Sequence, residues 1–295
     1  MVDVRQNLPR LEDCWFYHVI DLPDLGTQGG DWDLRGRFDE YIGTVPLTGK
    51  TVLDVGTASG FLTFEAERRG ATVTSFDLDS PDKWQYVSYP NIDDLKVDAR
   101  GFQRLRNSYW LSHHLLRSHA QLVTGDIYEI SRKVSPHDVS IVGQILVHLR
   151  DPLEALRQVA LVTKETMIIV EGSFESAAPT TVFLGGNGNY HSFWHLSDQF
   201  YRQYLPILGF EIAKISKADY RCNHNSMPPD VTVWTFIARR CSTGWLGRLR
   251  SYASRLSASR RRMKRWSRSS PLHDHRTRAY LAPIFHLGQS DAGAF

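Results

Sequence analysis

The sequence predicts a doubly wound α/β fold, a mostly parallel sheet with helices on both faces. Short β-branched runs alternate with helical stretches through residues 50–240, the pattern of strands joined by crossover helices. The run Thr51-Val52-Leu53-Asp54-Val55 stops at Gly56-Thr57-Ala58-Ser59-Gly60 and resumes at Phe61, which reads as a buried strand, a glycine turn and a helix. A second β-branched run, Thr72–Phe76, ends in Asp77 about 20 residues further on, where a carboxylate can take both hydroxyls of a ribose.

The elements follow in order. Residues 1–49 hold a turn-rich patch, Gly26–Gly30, and a predicted helix Asp33–Ile42, together a cap over the ligand side of the sheet rather than a separate domain. Strands are expected at Thr51–Val55, Thr72–Phe76, Gln121–Thr124, Asp138–Val142, Thr166–Val170, Phe210–Ser216 and Val231–Ala238. The long connection Ser80–His119 contains a helix at Gly101–Ser118, and connections of that length usually carry function. Phe183–His195 mixes glycines with Asn, His and aromatic residues and reads as a loop that stacks on a polar ring. Ser197 is the expected N-cap of a helix Gln199–Leu208, and Pro228-Pro229 marks the turn between the last two strands. Residues 241–295 form a tail.

The turn decides between two nucleoside cofactors. A dinucleotide site wants Gly-x-Gly-x-x-Gly, its middle glycine making room for a pyrophosphate. Here Thr57, Ala58 and Ser59 separate Gly56 from Gly60, and Asp54 stands two residues before the first glycine. An acid there repels paired phosphates and suits the ammonium of an amino acid, such as the methionyl part of S-adenosylmethionine. Asp54, Gly56, Thr57 and Gly60 then form the loop under the methionyl and ribose groups, with a purely structural strand-to-helix turn as the alternative.

The series Val52–Phe61, Asp77, Gly125-Asp126-Ile127 and Val142-Gly143-Gln144-Ile145-Leu146-Val147-His148-Leu149-Arg150-Asp151-Pro152 resembles the class I S-adenosylmethionine-dependent methyltransferases. Trp15-Phe16-Tyr17-His18, Phe64–Ala71 and the His-Leu-Arg-Asp-Pro turn are similar to the tRNA wobble-uridine methyltransferase-like group, over roughly residues 12–240. Val147 stands where the carboxylated-cofactor branch of that group has a tyrosine. The resemblance implies a seven-stranded sheet whose last two strands are an antiparallel pair, and S-adenosyl-L-methionine as cofactor. It also implies that Asp77, rather than its competitor Asp79 two positions on, binds the ribose, that Asp126 accepts from the adenine amino group and that Ile127 lies against the ring. A Gly-Asp turn is the plain alternative for Asp126.

Ligands in such sheets bind outside the carboxyl ends of the strands, so Gly143, Gln144 and His148 belong at the site's edge. His148 has the ordinary pKa of a general base for an acceptor hydroxyl; holding its loop by a backbone hydrogen bond is the alternative. His191, in the aromatic loop, is a second catalytic candidate. His191-x-x-x-His195 has the spacing of a metal pair, yet no Glu follows the first His and the glycines oppose a helix, so no metal is expected. Ser108, Tyr109, Trp110, His113 and His114 are candidates for the acceptor pocket or the core. Arg35 and Arg37 are candidates for the cofactor carboxylate or for plain surface charge.

At 295 residues and 42% hydrophobic the chain can bury one large core. Residues 1–239 hold 23 Lys+Arg against 30 Asp+Glu, a net of −7, whereas residues 240–295 hold 12 against 2, a net of +10. An acidic body argues against a broad nucleic-acid surface, which favours a small polar acceptor, such as a sugar, glycoconjugate or secondary metabolite, over RNA. A catalytically inactive cofactor-binding protein is the third reading. In the tail, Trp245, Leu249, Tyr252, Leu256, Met263 and Trp266 share one arc of about 100° on a helix spanning residues 245–266. That basic amphipathic pattern fits packing on its own domain, an anionic membrane surface or RNA. Three cysteines without CxxC spacing suggest neither a disulfide framework nor zinc. With no apolar run of spanning length and no basic-then-apolar start, the expected place is the cytoplasm, with peripheral contact at the inner membrane face through the tail.

Overall fold

The computed structural model describes residues 8–90, 93, 99–185, 190–224 and 228–241. The tail helix read over residues 245–266 lies outside them. No helix among the described residues is long and apolar enough to cross a membrane.

The cap supplies a hairpin, β1 (Ile20–Leu22) and β2 (Gly26–Gln28), a two-residue strand β3 (Trp32–Asp33) and a short helix α1 (Phe38–Tyr41). The core then runs β4 (Thr51–Val55), α2 (Phe61–Arg68), β5 (Thr72–Asp77), α3 (Ala99–Leu115), β6 (Gln121–Thr124), α4 (Ile130–Lys133), β7 (His137–Gly143), α5 (Pro152–Leu161) and β8 (Thr163–Glu171). Three small strands follow, β9 (Ser173–Phe174), β10 (Thr181–Phe183) and β11 (Trp194–Ser197). Helix α6 (Asp198–Ile207) and the long pair β12 (Phe210–Cys222) and β13 (Asp230–Arg240) close the fold.

The main sheet has the order β3-β12-β13-β8-β7-β4-β5-β6. Strands β6, β5, β4, β7 and β8 pair in parallel, while β13 is antiparallel to both β8 and β12. This is the doubly wound, mostly parallel arrangement with a closing antiparallel pair that the sequence predicts, and all seven expected strands form. An eighth is added: Asp33 and Trp32 pair with Arg221 and Cys222 at the free edge of β12. The cap is thereby stitched into the sheet.

Both faces of the sheet are covered because successive strand residues point to opposite sides. Val52, Ile141 and Ile168 face one core with α2, α3 and the cap residues Phe38 and Tyr41. Their neighbours Leu53, Val142 and Ile169 face the other, with α5 and α6. The helices begin where the sequence supplies caps. Asp151 accepts from the Glu154 N–H at 2.9 Å with Pro152 at the first position of α5, and Ser197 accepts from the Phe200 N–H in α6.

Two expectations need correction. The helix read at Asp33–Ile42 shrinks to Phe38–Tyr41, because Trp32 and Asp33 are drawn into the sheet edge. The loop read at Phe183–His195 is flanked by strands, Phe183 pairing with Trp194 and Val182 with His195.

The cap is also pinned by a close crossing. A Cβ on Gly30 would lie 2.4 Å from the His18 carbonyl carbon and 2.7 Å from both its oxygen and the Val19 nitrogen, all backbone atoms that cannot step aside. Gly30→Ala is expected to cost about 2 kcal/mol, read as a lower thermal midpoint, by forcing the two segments apart. An unchanged midpoint would contradict this crossing.

Candidate active site

The carboxyl ends of the parallel strands β4, β5, β6, β7 and β8 lie along one edge of the sheet, with the glycine turn at the end of β4. Its backbone needs left-handed conformations at Gly56 (φ +80°), Ala58 (φ +49°) and Gly60 (φ +93°). Gly60 has a second reason to lack a side chain, since a Cβ there would meet the Phe64 ring at 2.4 Å. Gly56 lies under Ile145, whose Cδ1 is 2.6 Å from the position of an added Cβ. The turn is tied to the neighbouring strand by the Gly56 and Thr57 N–H groups, which both donate to the Phe76 carbonyl.

Asp54 is fully buried at the end of β4. The Thr63 hydroxyl donates to its Oδ2 at 2.7 Å, so Thr63 must accept from Ser75 (2.7 Å) and Thr57 (2.9 Å), and Ser75 in turn accepts from the Tyr109 hydroxyl (2.9 Å). A chain of hydroxyls thus runs from α3 to the carboxylate, each proton pointing toward the charge. Asp54 Oδ1 is buried without a hydrogen-bond partner. Burial pushes the Asp54 pKa up to about 6, against the pull of the Thr63 hydroxyl.

Asp77, half-buried, closes the turn from the other side. Its Oδ2 accepts from the Ala58 N–H at 2.9 Å and its Oδ1 from the Leu78 N–H at 2.8 Å. Burial raises its pKa, while Arg106 and the two backbone donors pull it down. The Gly125 N–H donates to the Asp77 carbonyl, which brings Asp126 alongside. Asp126 Oδ1 accepts from the Tyr128 N–H at 2.9 Å, the turn-forming alternative, and Ile127 is buried.

On the far side of β4, Gly143 ends β7, where a Cβ would stand 3.0 Å from the Tyr41 hydroxyl. Gln144 follows at φ +52° and a single 3-10 turn, Leu146–His148, comes next. His148 Nδ1 lies 2.6 Å from the His191 carbonyl, which can only accept, so Nδ1 carries the proton and Nε2 is left with a free lone pair. Burial lowers the His148 pKa, keeping the ring neutral. His191 therefore meets His148 through its backbone, while its own ring packs against Tyr190 and Tyr86. His195 belongs to β11, its ring against Phe174, so the two histidines share no helix face.

The cap reaches the turn itself. Ser59 Oγ accepts from the Tyr17 and His18 N–H groups at 3.2 and 3.3 Å. Ser108 on α3 accepts from the Trp15 N–H and donates to the Trp15 carbonyl. Tyr109 is buried in the core, and His113 is spent on the Ala120 carbonyl. Arg35 is held by Asp33 and Asp21, and Arg37 by Glu40 and the Asp219 carbonyl, so both are surface ion pairs rather than cofactor ligands.

Sequence reasoning missed Glu171. It ends β8, is buried and has its pKa pushed up to about 8 by that burial, although three backbone N–H groups oppose the shift. The signal was present as an acid directly after the apolar run Met167–Val170 at a carboxyl strand end.

No protein-family model matches the chain, and comparison with curated proteins gives no match. Solved structures do resemble it. Magnesium protoporphyrin IX methyltransferase from Synechocystis PCC 6803 with bound SAH is 16% identical, with a TM-score of 0.46, over 69% of this chain and 80% of that one. A SAM-dependent methyltransferase from Methanosarcina mazei is 16% identical, with a TM-score of 0.46, over 70% and 98%. The 1,6-didemethyltoxoflavin-N1-methyltransferase of Burkholderia thailandensis is 15% identical, with a TM-score of 0.43, over 71% and 78%.

Proposed function

We propose that the protein is an S-adenosylmethionine-dependent methyltransferase that methylates O or N of a small polar acceptor. The observation that carries the reading is the carboxylate-guarded turn. Asp54 offers a buried oxygen with no partner, which matches an ammonium donor, and the same charge opposes a pyrophosphate. Asp77 holds the turn through one backbone N–H at each oxygen, which leaves lone pairs on both for ribose hydroxyls. Asp126 and the buried Ile127 stand next along the strand ends for the adenine. These residues fit the group that the sequence motif implies.

When bound, S-adenosylmethionine supplies an activated methyl group for in-line displacement. The chain's own residues hold the cofactor, position the acceptor and remove its proton. His148, neutral and with Nε2 unprotonated, is the base for that proton, and the His191 carbonyl fixes its tautomer. The acceptor side is bounded by the cap, the 3-10 turn and the Tyr86–Tyr190–His191 aromatic cluster. The acidic body favours a small acceptor over RNA, and wobble uridine is the competing substrate that the sequence resemblance names.

The test is transfer of a tritiated methyl group from S-adenosylmethionine into separated small-metabolite, lipid and RNA fractions. Label is expected in the small-metabolite fraction. Label confined to RNA would replace the proposed acceptor with a nucleoside, and label in no fraction would contradict turnover.

A further inference from the structure

Once Gln144 has donated to the Val170 carbonyl, the next three backbone N–H groups, those of Ile145, Leu146 and Val147, open a 3-10 turn and find no partner inside it. Ile145, at the N-cap position, makes no side-chain cap. The middle one turns instead to a side chain from the adjacent strand. Glu171 Oε1 accepts from the Leu146 N–H at 2.7 Å, and the Ile145 and Val147 N–H groups on either side of that bond pull the carboxyl pKa down against its burial. The turn ends on His148, whose N–H donates to the Ile145 carbonyl at 3.0 Å, and the Phe193 N–H donates to the Val147 carbonyl at 2.7 Å.

We propose that Glu171 is the positioning residue for His148: its carboxyl group anchors the Leu146 N–H at the head of the turn and so sets the imidazole against the His191 carbonyl. This rests on the reading of His148 as the base of a methyl transfer. A buried carboxyl costs stability compared with an apolar residue, and here it supplies an acceptor that no local side chain provides. With that anchor gone, the turn is free to rotate, and the distance from His148 Nδ1 to the His191 carbonyl is no longer fixed. The titratable neighbour of His148 is His191, which in turn feels His224; those facing Glu171 are Tyr17, Tyr41 and Tyr201.

The experiment reads the imidazole itself and needs no acceptor. In full-length protein labelled with nitrogen-15 histidine, with the His148 signals assigned by their loss in His148→Gln, the wild type is expected to show Nδ1 protonated, Nε2 bare and a titration below the ordinary histidine value. Glu171→Gln, which has the same shape but one acceptor oxygen, is expected to give mixed tautomers and a titration shifted up toward the ordinary value near 6.5. Glu171→Asp, which retains the carboxyl group but withdraws it from the turn, is expected to fall between the two. A folded Glu171→Gln protein whose His148 tautomer and titration match wild type would overturn the proposal; if that variant does not fold, the same match in Glu171→Asp would do so. Parallel calorimetry with S-adenosylhomocysteine on wild type keeps the cases apart. Absent binding there would sink the cofactor reading, while the tautomer result still decides the role of Glu171.

Discussion

Alanine at position 77 is expected to weaken S-adenosylhomocysteine binding about 100-fold, some 2.7 kcal/mol, and to leave the fold intact. On the proposed reading Asp77 acts on the ligand twice. It offers lone pairs to the ribose, and through Oδ2 it anchors the N–H of Ala58, a residue held at φ +49° in the middle of the turn. Removing the side chain loses the ribose contacts and releases a strained residue from its one side-chain anchor. Asp77→Asn conserves one acceptor oxygen and is expected to lose only about tenfold. Calorimetry on the two variants separates these cases. Equal affinity for wild type and Asp77→Ala would remove Asp77 from the site.

Stability is expected to peak near neutrality, with an alkaline limb that belongs to Glu171. Burial raises the Glu171 pKa to about 8, so above the ordinary carboxylate range the folded chain binds a proton that the unfolded chain has lost. That contribution is complete at low pH and disappears as the pH passes through 8. Asp54, raised to about 6, behaves the same way over a lower window. The buried histidines work in the opposite sense. His18, held near 3 by burial, and His137, His148, His191 and His195, all lowered chiefly by burial, contribute stability that is present above about 6.5 and lost as the pH falls. Above pH 7 the histidines are neutral in both states and Glu171 remains. Urea midpoints are expected to show a loss of about 1 kcal/mol between pH 7 and 8 in wild type, and none in Glu171→Gln. The same slope in both proteins would place the titration elsewhere.

The sheet was legible because its strands are local facts. Thr51–Val55 and Gln121–Thr124 form with the expected bounds, since a β-branched run flanked by turn residues states its own limits. The cap was not legible in the same way. Trp32 and Asp33 become a strand only because Arg221 and Cys222, nearly two hundred residues away, present an open edge, and no local pattern announces that pairing. The glycine turn, Asp77 and the Gly125-Asp126 turn could be read from motif and spacing. The roles of Ser59 and Glu171 could not, for both bind backbone N–H groups of segments distant in sequence, and a backbone donor leaves no mark in the residue letters. His148 sat between two readings, base or loop fastener, and its Nδ1 hydrogen bond to a carbonyl serves both.

Titration calorimetry of the full-length chain with S-adenosylhomocysteine and with NAD tests most directly the proposal that the glycine turn takes a cationic amino-acid nucleoside. Saturable heat is expected with S-adenosylhomocysteine and none with NAD. Saturation by NAD alone would contradict it.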